Sequence, residues 1–188
     1  NADPENISGM LAVIGLDISN LNKILNNLDN NLKFEIANDN APGQVVISLE
    51  KKNFEPISDK LKSFGAKKVI PLNVSSAFHS SFMKNAEIKM LKELDSIKII
   101  DSKYPIVSNY SALPAQKRVD ILNNLKNQIL NKVRWVETIK YMENNNIKTI
   151  IEIGPSKVLN GLNKRISSKL SLINVSNINE LENLKNVL

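Results

Sequence analysis

The sequence predicts an α/β protein built from two consecutive blocks. Two observations carry this. Apolar residues over about the first 70 positions switch between strand-like and helix-like spacing in the order β-α-β-β-α-β, and β-branched runs further on alternate with helical stretches. The chain has 188 residues, 42% hydrophobic and 23% charged, enough for one ordinary domain or two small ones.

In the first block, Met10-Leu11-Ala12-Val13-Ile14 is a short apolar run between Gly9 and Gly15 and reads as a buried strand. Ile18, Leu21, Leu25 and Leu28 recur at helical spacing. Lys33 to Ala37 alternates like a strand, with Phe34 and Ile36 on one face. Asn38-Asp39-Asn40-Ala41-Pro42-Gly43 is dense turn chemistry, followed by a strand over Gln44 to Leu49. Glu55 to Phe64 reads as a helix closed by Gly65, and Lys67 to Leu72 as another strand. This is the ferredoxin-like, split-βαβ order, expected over residues 9–73 after a polar connector at 1–8. The order is common and by itself names no function.

The second block, expected over 74–188, reads as helix at Ser80 to Leu94, strand at Tyr104 to Asn109, and helices at Val119 to Leu130 and Trp135 to Glu143. Lys148 to Ile153 is a nearly continuous β-branched run, as in a strand covered on both faces. A helix from Ser156 to Ile166, a strand from Leu170 to Val175 and a helix from Ile178 to Val187 follow. Such alternation predicts a parallel sheet. Three strands are few for one. With the polar opening and the absence of an initial Met, this leads us to expect further chain upstream of Asn1.

Composition excludes several chemistries. Cysteine is absent, so no disulfide, cysteine nucleophile or thiolate metal site is possible, and a single histidine argues against a histidine-built zinc site. No apolar run is long enough to cross a bilayer, and no export signal opens the chain. The net charge of +6 favours anionic partners without naming one. Nothing beyond that charge suggests nucleic acid, since the aromatic RNA-binding motif is absent.

His79 is the sole histidine, in Ser75-Ser76-Ala77-Phe78-His79-Ser80-Ser81-Phe82-Met83 between the blocks. It is either a junction histidine without a role or a general base in a cleft. Gly154-Pro155-Ser156-Lys157 lies at a strand-to-helix turn, but Val158 stands where a nucleophile elbow needs its second glycine. Ser156 therefore reads as a helix N-cap, or its helix N-terminus lies near an anion. Residues Asn38 to Gln44 form either a polar recognition loop or a tight hairpin turn. Lys67-Lys68 and Lys164-Arg165 could meet an acidic partner or be solvated ends of elements.

Five segments, in order and in register, resemble the C-terminal part of bacterial malonyl-CoA:acyl carrier protein transacylases. They are Gly9 to Asp17, Asn38 to Ser48 (NDNAPGQVVIS), Ala77 to Met83 (AFHSSFM), Gln128 to Glu137 (QILNKVRWVE) and Glu152 to Arg165 (EIGPSKVLNGLNKR). The resemblance implies a ferredoxin-like βαββαβ subdomain followed by the C-terminal part of an α/β-hydrolase-like parallel-sheet domain. It implies acyl transfer through a serine ester in fatty acid biosynthesis, with malonyl-CoA and acyl carrier protein as partners. It also implies a monomeric parent, no cofactor, no metal, no membrane and a cytoplasmic setting. Carried over by position, His79 is the base and Gln128 supplies the main-chain carbonyl that orients it. Asn38 and Asn40 belong to a polar loop facing the cleft. Phe78 narrows the space beside the acyl α-carbon.

The sequence departs from the family pattern at Ser81, Lys132 and Ser156, which stand for proline, proline and glycine. The G-H-S-x-G elbow, the malonyl-binding arginine and the oxyanion loop are not in these 188 residues. The chain alone is therefore expected to be inactive and to expose apolar surface. The alternative is a non-catalytic module that binds acyl carrier protein or another acidic partner through Lys67, Lys68, Lys164 and Arg165.

Overall fold

The computed structural model describes residue 3, residues 5–28 and residues 32–184. These fall into two compact units, one up to Trp135 and one from Val136 onward.

The first unit opens with β1 (Ser8–Ile14), α1 (Ile18–Asn26), β2 (Glu35–Ala41), β3 (Gln44–Glu50), α2 (Phe54–Ser63) and β4 (Lys68–Pro71). The strands form one antiparallel sheet in the order β2-β3-β1-β4, which is the ferredoxin-like arrangement the periodicity predicts. Leu11 and Val13 of β1 point to one face, where Val45, Ile47 and Leu49 join Leu21 and Ile24 of α1 and Ile57 and Leu61 of α2 in the main core. Met10 points to the other face, into a smaller cluster with Ala37 and Val46. That two-sided burial explains why β1 reads as a continuous apolar run.

Local chemistry sets the ends of the helices. Asp17 caps α1, its Oδ1 accepting the Asn20 N–H at 2.9 Å. At the end of α2, Gly65 takes φ +98°, Ala66 N–H returns to Leu61 O at 3.0 Å, and Gly65 N–H to Lys62 O at 2.9 Å. That is a Schellman closure, and it requires the left-handed residue that glycine supplies.

The turn expected over Asn38 to Gly43 is shorter than predicted. β2 runs through Ala41, Ala41 pairs with Gln44, and Pro42-Gly43 alone makes the loop. Asn38 and Asp39 stay extended because β2 has main-chain partners on both sides here. β3 lies along one edge. On the other, Val133 N–H donates to Ala37 O at 2.8 Å and Asp39 N–H to Val133 O at 2.9 Å. This contact ties residues near 133 to the sheet, so the compact unit continues past the topological end of the βαββαβ motif at residue 73.

Residues 1–8 read as a connector, yet Asp3 is buried. Its Oδ2 accepts the Ser8 N–H at 2.9 Å and the Ser8 hydroxyl at 2.7 Å. The rest of this unit contains a 3₁₀ turn (Ser81–Met83), α3 (Lys84–Ser96), β5 (Ile106–Val107), β6 (Pro114–Ala115) and α4 (Arg118–Gln128). The strand expected over Tyr104 to Asn109 shrinks to the two residues of β5. It pairs antiparallel with β6 rather than joining a parallel sheet, because the chain turns back within a few residues.

The second unit holds most of α5 (Trp135–Asn144), then β7 (Thr149–Ile153), α6 (Val158–Ile166), β8 (Ser171–Val175) and α7 (Ile178–Leu184). β7 and β8 are parallel and in register from Thr149↔Ser171 to Ile153↔Val175. The expected full cover of β7 is not found. Among the described residues its ladder is with β8 alone, and Ile153 is 82% exposed. The predicted last helix extended to Val187; residues 185–188 lie outside the described residues. Among the described residues no helix is long and apolar enough to cross a membrane.

Candidate active site

His79 lies on a short loop between β4 and the 3₁₀ turn, and several contacts fix that loop. Ala77 is fully buried, and its N–H donates to Ser8 Oγ at 3.1 Å. The Ser8 hydroxyl is itself held by Asp3, so the start of the chain anchors the segment that leads to the histidine. The Ser80 hydroxyl donates back to Ala77 O. His79 takes φ +55°, an uncommon conformation for a side chain of its size, held by this surrounding network.

The half-buried imidazole meets the end of α4. Gln128 is the last residue of that helix, so its carbonyl has no partner within the helix. It lies 3.1 Å from His79 Nδ1. A carbonyl oxygen can only accept, so this contact places the proton of the neutral ring on Nδ1 and leaves the lone pair on Nε2. The ring opens on a cleft of about 370 Å³ lined by residues that include Ile18, Leu25, Glu35, Ile36, His79 and Leu130. A half-buried imidazole with a fixed tautomer, beside a cleft, is equipped to take a proton from a hydroxyl or thiol brought to Nε2.

The other residues singled out from the sequence fall in different places. Asn38 and Asn40 lie further along β2, and the cleft is lined from that strand by Glu35 and Ile36 instead. Phe78 packs onto the small cluster of Met10, Ala37 and Val46 on the sheet, which accounts for a bulky ring beside the histidine. Lys67 and Lys68 are exposed at β4, an edge strand. Lys164 and Arg165 are exposed in the last turn of α6.

Ser156 is not the cap of α6. The buried carboxylate of Glu152 takes that place, accepting the N–H groups of Leu159 at 3.1 Å and Asn160 at 2.7 Å. An anion does sit at this helix N-terminus, and it is the chain's own. Sequence reasoning missed Glu152, Asp3, Glu35 and Ser48. The one available signal was a polar residue inside an apolar strand pattern, which Glu152 and Ser48 both show. Among the described residues, no group of three or more His, Asp or Glu side chains could hold a metal ion.

No protein-family model matches the chain. Malonyl CoA-acyl carrier protein transacylase of Bacillus subtilis is 39% identical over 183 residues, which is 96% of this chain and 57% of the relative. The Staphylococcus aureus protein of the same name is 34% identical over 182 residues, 96% of this chain and 59% of the relative. The crystal structure of an acyl carrier protein S-malonyltransferase from Vibrio cholerae superposes with a TM-score of 0.91 at 32% identity, covering 98% of this chain and 60% of that one. A malonyl-transacylase solved in complex with a type II polyketide synthase acyl-carrier protein gives a TM-score of 0.91 at 35% identity and the same coverage. The chain thus spans under two thirds of the length of these relatives. In sequence and in fold it corresponds to a C-terminal part of malonyl CoA-acyl carrier protein transacylases.

Proposed function

We propose that this chain supplies the general-base part of an acyltransferase that moves a malonyl group from coenzyme A to the phosphopantetheine thiol of acyl carrier protein. The observation that supports this most directly is the 3.1 Å approach of Gln128 O to His79 Nδ1, which leaves Nε2 free to act. The nucleophile in this reading is a serine of a G-H-S-x-G elbow, which these 188 residues do not contain.

Nε2 of His79 takes the serine proton as Oγ attacks the malonyl thioester. The tetrahedral intermediate collapses, the C–S bond breaks, and the imidazolium returns the proton to the departing coenzyme A thiolate. The carrier-protein thiol then gives its proton to Nε2 and attacks the malonyl-serine ester. The C–O bond breaks and Oγ regains the proton. The Gln128 carbonyl holds the ring through both halves by accepting from Nδ1–H. It brings less electrostatic stabilisation than a carboxylate does, because it bears only a partial charge. Each half-reaction is an acyl transfer balanced in protons, so the reading calls on no cofactor. Its setting is the cytoplasm, where coenzyme A thioesters and carrier protein meet. Lys67, Lys68, Lys164 and Arg165 are the proposed docking charges for an acidic carrier protein.

The test is malonyl transfer by a protein that joins this chain to a G-H-S-x-G segment of a relative such as the Bacillus subtilis protein. His79→Ala lowers kcat roughly 10²–10⁴-fold; an unchanged rate removes His79 from the mechanism. In the same assay, Lys67→Glu with Lys68→Glu raises KM for carrier protein at low salt. A KM unmoved by that change and by salt ends the docking assignment.

A further inference from the structure

Two residues on neighbouring strands grip the His79 loop from both sides, and neither belongs to the chemistry above. Glu35 and Ser48 face each other directly across β2 and β3. The Ser48 hydroxyl, fully buried, donates to the carbonyl of Phe78 at 2.7 Å. The Glu35 carboxylate accepts the main-chain N–H of Ser81 at 3.2 and 3.1 Å through its two oxygens, and also the Ser81 hydroxyl. One contact falls on the residue before His79 and the other two residues after it. Glu35 also lines the cleft onto which the imidazole opens.

We propose that the Glu35–Ser48 pair is a positioning clamp for His79, acting on its main chain rather than on the reacting atoms. This rests on the reading of His79 as the general base. The physical reason is the backbone at that residue. With φ at +55°, His79 lies outside the conformations an L-residue prefers, and released from its neighbours the peptide relaxes to negative φ. That rotation swings the Cα–Cβ bond and carries Nδ1 away from the Gln128 carbonyl. A paired position in an antiparallel ladder is a rigid place from which to hold both flanks, because the two Cα atoms are fixed relative to each other by the register. The two grips also differ in kind. Ser48 fixes a carbonyl with a neutral bond from the sheet interior, whereas Glu35 fixes an amide with a charge-assisted bond near solvent.

The single histidine gives a direct readout. Imidazole ¹⁵N–¹H correlation spectra of the 188-residue chain report on His79 alone. The parent shows the proton on Nδ1. In Glu35→Ala and in Ser48→Ala the majority form switches to Nε2–H, which free imidazole favours, and Glu35→Gln, whose amide oxygen still accepts from Ser81, restores most of the Nδ1–H signal. In the joined protein, Glu35→Ala lowers kcat about tenfold with KM for malonyl-CoA unchanged, the pattern of lost positioning rather than lost binding. Should Glu35→Ala not fold, Ser81→Ala decides in its place, with a smaller shift in the same direction. Folded variants that keep the parent tautomer and kcat, beside an inactive His79→Ala, overturn the clamp alone. Full activity in His79→Ala overturns the general-base reading, and the tautomer measurement still decides whether the pair positions the ring.

Discussion

The carboxylate of Glu152, near the end of β7, takes the main-chain N–H of Asn160 at 2.7 Å in the first turn of α6. Its other oxygen takes the N–H of Leu159 at 3.1 Å, while Lys157 at the N-cap position makes no side-chain capping bond. A carboxylate at the positive end of a helix gains from the aligned peptide dipoles as well as from the two bonds. Glu152→Ala is therefore expected to destabilise the chain by about 2–3 kcal/mol and Glu152→Gln by roughly half that. Ser156→Ala is expected to stay within about 0.5 kcal/mol of the parent. Urea unfolding, with amide exchange at Leu159 and Asn160, checks both. Equal effects at positions 152 and 156 would show that the helix does not depend on this cap.

The same pair of residues shows where sequence reading stops. α1 is legible because the helix geometry imposes a local repeat of apolar residues, and β1 because burial on both faces makes it a continuous apolar run between glycines. Ser156 looks like a cap because caps are local in most helices, but the group that caps α6 comes from the preceding strand, across the turn. Tyr104 to Asn109 carries strand-forming residues, and its partner is a nearby hairpin strand that no periodicity reveals. The contact between His79 and Gln128 spans 49 positions and a main-chain oxygen, so no side-chain pattern encodes it. It was foreseen through resemblance to a family. Phe78, whose ring the resemblance assigns to substrate selection, packs against Met10, Ala37 and Val46.

Asp3 makes the start of the chain sensitive to acid. The hydroxyl of Ser8, followed by the N–H groups of Ser8 and Ile7, holds its carboxyl below the ordinary aspartate range, against the opposing effect of burial. A lowered value in the folded state means stabilisation that is present above the unfolded value, near pH 4, and is lost as pH falls through the folded value. Asp3→Asn is expected to destabilise the chain at pH 6 more than at pH 3. The urea midpoint of the variant should accordingly depend less on pH over that interval. Because Ser8 Oγ also receives the Ala77 N–H, faster exchange of the Ala77 amide should accompany the loss. Parallel pH profiles for parent and variant would show that the Asp3–Ser8 contact contributes nothing.

Gly15 is where the turn after β1 meets the start of β4. Its N–H donates to Gly43 O at 2.9 Å, and its φ of +102° lies in the left-handed region. A Cβ at this position would stand 2.9 Å from the main-chain N of Lys67 and 2.8 Å from its Cγ. The side chain of Lys67 can swing aside. Its main-chain nitrogen cannot, because it donates to Ile14 O at 2.7 Å as part of the β1–β4 edge. Gly15→Ala therefore combines an unfavourable φ with a backbone clash, and a loss of about 2–4 kcal/mol is expected. Gly43 gives the control. A Cβ there meets Gly15 Cα no closer than 3.9 Å, and φ +69° is a conformation asparagine tolerates. Gly43→Asn should thus cost well under half as much. Thermal or urea unfolding of the two variants is compared with that of Gly43→Ala, which places an alanine at positive φ without a backbone clash; a Gly15→Ala loss no larger than that of Gly43→Ala would show that the Lys67 contact adds nothing.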